Sequence, residues 1–386
     1  MKKIAILTLF HGNNNWGGVL QGYALKRTIE NLCPDFIVDI LNYRSSTNIV
    51  YPSLVKQMLQ YPVFEIPGVI ARRIFKRNNT YVSNKLQARR KLFSIFMEEN
   101  TTNPTRYNDQ SLEDVVGDYC CFISGSDQVW NPNVARAGYF QTMIPDSCRR
   151  IAYAASIARD ELSIHEQKIM IPLIERFDYV SVRENTAKIF MERYLNGRKE
   201  VYEVLDPSLL LTRENWLELV GNNECKMGSY ALAFFFSESY TYRTQIEKYC
   251  RKNGLKLLFI PFAAEHYIKS DEKGECERVF DVGPKEFIWL FYNAQCVFTD
   301  SFHGSVFSIV FEKKFCVFER DKKSKVSKNS RLYDLLHKFQ LSERLIEKPE
   351  YLEQRMQRPI NYENVNRLLE QYRVQSLSFL KKAIDC

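Results

Sequence analysis

The segment Thr299-Asp300-Ser301-Phe302-His303-Gly304 puts an imidazole, a carboxylate and small hydroxyl side chains into one short turn. Residues 290–298 before it are apolar and aromatic enough for an inner strand, and residues 305–311 after it carry apolar side chains at helical spacing. A strand-to-helix turn leaves backbone N–H groups free at the helix N-terminus. Those groups and the helix dipole favour a phosphate or carboxylate, to which His303 can add a hydrogen bond or a proton. The same residues also read as an ordinary N-cap, Asp300 or Ser301, followed by a histidine that only packs.

Other segments offer complementary chemistry. Arg183 follows the short apolar strand expected at residues 179–182, where a cation is costly without an anionic partner. Its guanidinium fork suits bidentate capture of a carboxylate or phosphate, and Glu184 is the alternative, structural partner. Asp127, in Gly125-Ser126-Asp127-Gln128-Val129-Trp130, has the setting of a general base or of a turn aspartate bonding its own backbone, and its local spacing favours neither. Arg331 follows a lysine- and serine-rich loop, residues 321–330, that is either simply solvated or closes over an anion with Arg331 as a clamp. The first loop, with Asn13, Asn14, Asn15, Trp16, Gly17 and Gly18, is glycine-rich but matches neither GxGxxG nor GxxxxGK[ST].

The elements that must position these groups read as successive α/β units. A strand at 4–10, a loop at 11–18, a helix at 19–31 and a strand at 36–41 make a βαβ opening. Strands follow at 118–123, 150–155, 179–182 and 199–204, and Asp206-Pro207-Ser208 reads as a hinge. A second alternation runs from a strand at 230–236 through helix 242–253, strand 256–261, helix 284–293 and strand 296–299 to helix 305–312 and strand 315–318. Strand-end loops in such folds converge on one crevice. The expected fold class is α/β, with two Rossmann-like domains facing across a cleft in a GT-B-like arrangement. Residues 1–207 form the first domain, with a basic helical insertion at about 54–100. Residues 208–386 form the second, with a final helix at 363–384 packing back across the hinge.

With 386 residues, 45% hydrophobic and 26% charged, the chain is long enough for two cores and has no apolar run long enough to span a membrane. The net charge of +8 is modest for this length and does not by itself call for nucleic acid. Its distribution is uneven: Arg72, Arg73, Lys76, Arg77, Lys85, Arg89, Arg90 and Lys91 interleave with Ile70, Ile74, Phe75, Leu86, Leu92 and Phe93. That pattern fits a solvated helix pair, or a surface for anionic lipid or a diphosphate. The ten cysteines are scattered without a CxxC pair, so reduced, mostly buried thiols in a cytoplasmic protein are expected. The five histidines show no ligand spacing, and no metal is expected.

Taken in order, Asn14 to Gly18 with Gln21-Gly22-Tyr23-Ala24-Leu25, Gly125 to Pro132, Tyr153-Ala154-Ala155-Ser156, Ser181-Val182-Arg183-Glu184, Asp206-Pro207-Ser208-Leu209-Leu210 and Thr299 to Gly304 resemble the polysaccharide pyruvyl transferase family. The resemblance implies transfer of pyruvyl from phosphoenolpyruvate, the donor substrate, to two hydroxyls of a sugar as a cyclic ketal, without a further cofactor. Arg183 matches the family's Ser-x-Arg arginine and His303 its histidine before glycine. Some relatives have Arg-Leu-His where this chain has Ser301-Phe302-His303, and Arg331 or a lysine of the preceding loop is expected in place of that arginine.

On this reading the donor meets Arg183, Ser301, His303, Gly304, Ser305 and Arg331. The sugar meets Asn14, Trp16, Gly17, Asp127, Gln128 and Trp130. His303 acts as acid, Asp127 as base, and Arg183 stabilises departing charge. The expected acceptor is a galactoside or N-acetylhexosamine, including one on undecaprenyl diphosphate at the inner membrane face, where the protein would be peripheral. A nucleotide-sugar glycosyltransferase and a non-catalytic glycan or lipid-phosphate binder are the alternatives.

Overall fold

The protein is described by a computed structural model covering residues 2–45, 47–53, 80–221, 228–238, 240–320 and 329–385. In chain order its first part comprises β1 (Lys2–Leu7), α1 (Trp16–Leu32), β2 (Phe36–Ile40), β3 (Asn42–Tyr43), α2 (Thr80–Lys85), α3 (Gln87–Glu99), β4 (Arg106–Tyr107), β5 (Cys121–Ser124), β6 (Arg149–Ala155), α4 (Ile164–Glu175), β7 (Tyr179–Val182), α5 (Asn185–Leu195) and β8 (Val201–Glu203). The second part comprises α6 (Arg213–Val220), β9 (Tyr230–Phe234), α7 (Tyr240–Lys252), β10 (Lys256–Ile260), β11 (Glu277–Arg278), α8 (Pro284–Asn293), β12 (Cys296–Thr299), α9 (Phe302–Val310), β13 (Lys314–Phe318), α10 (Ser330–Lys338), β14 (Leu345–Ile346), α11 (Leu352–Gln357) and α12 (Tyr362–Ile384).

Two parallel six-stranded sheets result, ordered β2-β1-β5-β6-β7-β8 and β11-β10-β9-β12-β13-β14. The central strands β5, β9 and β12 are buried along their whole length, as continuous apolar runs covered on both faces require. The second sheet has the 3-2-1-4-5-6 order of dinucleotide-binding folds, so its switch point lies between β9 and β12. That of the first sheet lies between β1 and β5. Both switch points are tied shut by side chains: Thr8 Oγ1 donates to Ser126 O at 2.9 Å, and the Asp300 carboxylate accepts from Phe236 N and Ser237 N at 2.8 Å each.

Several elements begin or end away from their sequence-based positions. The helix expected at 284–293 and the strand expected at 296–299 form as α8 and β12, so the run 290–298, which also reads as one inner strand, is divided between them; apolarity alone does not separate a buried helix from a buried strand. Helix α1 starts at Trp16 rather than 19, because the Asn15 side chain caps it by accepting from Gly17 N and Gly18 N. Helix α9 starts at Phe302, capped by Ser301, which puts His303 inside the helix. Apart from Cys33, which is disulfide-bonded, the described cysteines are free thiols, so the expectation of reduced thiols does not hold at that position.

The domains share one core. Trp16 stacks on Phe287 at 5.4 Å, meets Phe93 and Phe234 edge-on, and donates its indole N–H to Val282 O at 3.0 Å. Helix α12 returns to the first domain, where Phe379 sits among Tyr153, Tyr179 and Tyr202, and Ser376 Oγ accepts from Leu205 N at 2.9 Å.

Within the basic stretch, residues 54–79 lie outside the described residues, and α3 carries much of the remainder. Arg89 there is fully buried, donating to Phe280 O at 2.8 Å and Pro261 O at 3.0 Å beneath the Trp16 ring. Arg90 pairs with Glu265 at 2.9 Å. These two arginines therefore join the domains and are not part of a free lipid-facing surface. No helix among the described residues is long and apolar enough to cross a membrane.

Truncation of the central indole tests this shared core. Trp16→Ala removes the stacking and the indole donor together and should cost about 3–5 kcal/mol, read as a lower urea midpoint; a loss below about 1 kcal/mol would mean that the domains are held mainly elsewhere.

Candidate active site

The carboxyl ends of β1, β5, β7 and β8 and the N-termini of α1 and α9 meet in the cleft. Arg183, the residue after β7, is deeply enclosed there, its side chain only 2% exposed. Its Nη1 donates to Asp206 Oδ2 at 2.6 Å and its Nε to Glu184 Oε1 at 3.1 Å, and its guanidinium lies 4.2 Å from the centre of the Phe302 ring. Burial opposes the charge, yet Glu184 and Asp206 hold it above the ordinary arginine range. Nη2 has no partner among the described residues. Glu184 is therefore the structural partner that the sequence left open, and it leaves one guanidinium nitrogen for a ligand.

Asp206 ends the segment after β8 and organises its surroundings. Its Oδ1 caps the following turn by accepting from Ser208 N at 2.9 Å, and its Oδ2 also accepts from Ser126 Oγ at 3.0 Å. Burial alone would raise its carboxyl; His303 and Arg183 beside it instead hold it well below the usual carboxylate range. Sequence reasoning treated this residue as a hinge. The signal available was its position directly after a strand of the same sheet, the rule that selected the other loops.

His303 belongs to the first turn of α9, with Nε2 3.7 Å from Asp206 Oδ2. Its ring face packs on α1: a Cβ added to Gly17 would lie 2.0 Å from His303 Nδ1. Only glycine permits this approach of the two domains. Beside it, a Cβ on Gly18 would lie 3.0 Å from Asp127 Oδ2. Asp127 adopts φ of +67° while its carbonyl accepts from Ser156 N at 2.9 Å, and its carboxylate makes no hydrogen bond among the described residues. Ser156 Oγ in turn donates to Glu184 Oε1 at 2.5 Å.

Arg331 enters from α10, which docks on the first domain. Asp334 accepts from Thr186 N and Thr186 Oγ1 at 3.1 and 3.2 Å, and Lys338 pairs with Glu203. The residue is buried and has no carboxylate partner among the described residues. Burial, with Arg183 and Arg320 nearby, brings its guanidinium down to about 10, so it stays charged at neutral pH. Arg331, Arg183, Phe302 and Asp206 line one cavity. Of the loop preceding Arg331, residues 321–328 lie outside the described residues.

The structure thus brings together Arg183, His303, Arg331, Asp127 and Gly17. It withdraws others. Trp16 and Trp130, expected at the sugar, have no exposed surface; Trp16 joins the domains, and Trp130 stacks on Phe140 and donates to Tyr139 O. Ser301 Oγ is used in accepting from Gly304 N at 3.3 Å, and Ser305 Oγ donates to Ser301 O at 3.0 Å. Gly304 packs on Thr299, whose Oγ1 would lie 2.3 Å from an added Cβ. These donor-side positions shape α9 rather than reach a ligand. Asn14 and Gln128 are partly exposed at the cleft, bonded to Glu265 and Asn131. Among the described residues no group of His, Cys, Asp and Glu is arranged to hold a metal ion.

Two Rossmann-like domains facing across a cleft define a GT-B-type protein. The fold is similar to that of the Methanocaldococcus jannaschii UDP-GlcNAc 2-epimerase in complex with UDP-GlcNAc and UDP, at 13% identity and a TM-score of 0.53 over 96% of this chain and 99% of that one. It is similar also to the S. aureus MnaA–UDP co-structure, at 10% identity and a TM-score of 0.53 over 100% and 97%. No relative among the curated proteins matches. The model of the polysaccharide pyruvyl transferase family matches residues 15–322, and the chain belongs to that family.

Two substitutions probe the site. Arg331→Ala removes an uncompensated buried cation, so the ligand-free protein should be at least as stable as the parent in thermal unfolding. A clearly lower melting temperature would mean that the fold itself compensates the Arg331 charge. Gly17→Ala should displace the His303 ring, seen as a changed His303 imidazole resonance, and lower turnover while the fold persists.

Proposed function

We propose that the protein transfers the pyruvyl group of phosphoenolpyruvate to two hydroxyls of a sugar, forming a cyclic ketal. The observation that carries this reading is that Arg183, with one guanidinium nitrogen unpartnered among the described residues, and Arg331, with no carboxylate partner among them, share a cavity with Asp206, which faces His303. Phosphoenolpyruvate offers a phosphate and a carboxylate to two such forks, and each gains more in a water-poor cleft than in solution.

In this mechanism His303 protonates the methylene carbon of the enol, and the electron pair of the double bond forms the new C–H bond. The adjacent carbon becomes electrophilic and is attacked by a sugar hydroxyl, whose proton passes to Asp127. Phosphate leaves with the electrons of its C–O bond, with Arg183 and Arg331 stabilising the developing charge. The second hydroxyl then attacks the carbocation that phosphate leaves behind and gives its proton to the now neutral His303, which closes the ketal. Asp127 suits the base role because its carboxylate makes no hydrogen bond among the described residues and lies against the same turn of α1 as His303. Asn14 and Gln128 line the acceptor side, which takes a galactoside or N-acetylhexosamine, free or lipid-diphosphate-linked.

The test is phosphate release from phosphoenolpyruvate across such a panel of acceptors, with mass analysis of the sugar. Acceptor-dependent release with a pyruvyl mass gain is expected, reduced roughly a hundredfold to ten-thousandfold in His303→Ala. Absence of release with every acceptor, together with tight binding of a uridine nucleotide, would instead indicate a nucleotide-sugar transferase.

A further inference from the structure

The His303 ring is held between two unlike surfaces. On one side Nε2 is buried, has no hydrogen-bond partner among the described residues, and faces Asp206 Oδ2 at 3.7 Å. On the other, Gly17 at the start of α1 lies over the ring face at Nδ1 and leaves the in-plane edge of that nitrogen uncovered. Asp206 has no exposed side-chain surface, and its orientation is set by Ser208 N, Ser126 Oγ and Arg183 Nη1. A ligand in the cleft therefore meets the imidazole and not the carboxylate.

We propose that Asp206 is a positioning residue that fixes the proton of neutral His303 on Nε2, making Nδ1 the nitrogen that exchanges a proton with the cleft ligand. An ionised carboxylate only accepts hydrogen bonds, so the ring edge turned toward it carries the hydrogen. The lone pair of the neutral ring then lies on Nδ1, and the proton given up by the imidazolium is the one on Nδ1. The 3.7 Å separation is beyond a hydrogen bond, so the preference comes from the charge of the carboxylate facing Nε2.

This assignment rests on the pyruvyl-transfer reading for its chemical consequence, and it orients the reaction. The proton leaves Nδ1 for the enol methylene, the double-bond pair becomes the C–H bond, and the ring is left neutral with Nε2–H toward Asp206. The reacting carbon must then lie at the first turn of α1, where the neighbouring Gly18 backs the Asp127 carboxylate. Adjacent glycines thus place the acid nitrogen and the base on one side of the donor.

The experiment is a long-range ¹⁵N–¹H correlation on the full chain labelled with [¹⁵N]histidine, without ligand, at a pH where the ring is neutral. The His303 signals are identified by their loss in His303→Gln. A protonated, pyrrole-type Nε2 and an unprotonated, pyridine-type Nδ1 are expected; the reverse pattern, or averaged shifts showing both tautomers, would overturn the proposal. In Asp206→Asn the preference should disappear. Should that variant fail to fold, the parent spectrum alone still decides. Because the spectrum needs no substrate, its outcome is separate from that of the phosphate-release assay.

Discussion

The buried ion pair of Asp206 and Arg183 is the contact on which the rest of the site depends. Removing two charges from water is costly, and attraction offsets that only where the remaining hydrogen-bonding capacity is met. Here a turn N–H, a serine hydroxyl and a second carboxylate, Glu184, satisfy most of it. The ends of β5, β7 and β8 are thereby drawn to one point, and Phe302 at the start of α9 lies flat on the guanidinium. Breaking one partner would strand the other in a cavity without solvent, so the sheet ends and the interdomain contact are coupled through a single electrostatic arrangement.

Glycine supplies the complementary constraint. Where the charged cluster brings polar groups together from within the first domain, Gly17 lets the second domain approach it, since any side chain there would occupy the space of the His303 ring. Two helix N-termini consequently converge with two arginines on one cleft. Such a collection of positive ends is poorly compensated without an anion, Arg331 above all. Its helix is nevertheless held in place by Asp334 on Thr186 and by Lys338 on Glu203. The cost of burying Arg331 is offset by these contacts at the domain boundary.

Much of the fold was legible because its signals are local. Alternating apolar strands and amphipathic helices identify two doubly wound halves, and Asn15 and Ser301 are residue types that cap helices. The apolar run 290–298 has two local readings because it serves the helix Pro284–Asn293 and then the strand Cys296–Thr299. The candidate site was legible in part. Arg183, His303, Arg331 and Asp127 stand in strand-end segments, and the sheet topology brings those segments together. Trp16 and Trp130 were misread because an aromatic side chain beside a polar loop has the same local signature whether it faces a sugar or fills a core.

The sequence by itself determined the fold class, the family and the residue types at the ends of the strands, since periodicity and ordered motifs do not depend on distant contacts. Only the tertiary structure decided which of those residues meet. That Asp206 is the hub and not a hinge, that Glu184 is spent on Arg183, and that α3 joins the domains are facts about pairs far apart in the chain. Burial and pairing of charge depend on what the other domain brings to the same point, and no single segment carries that information.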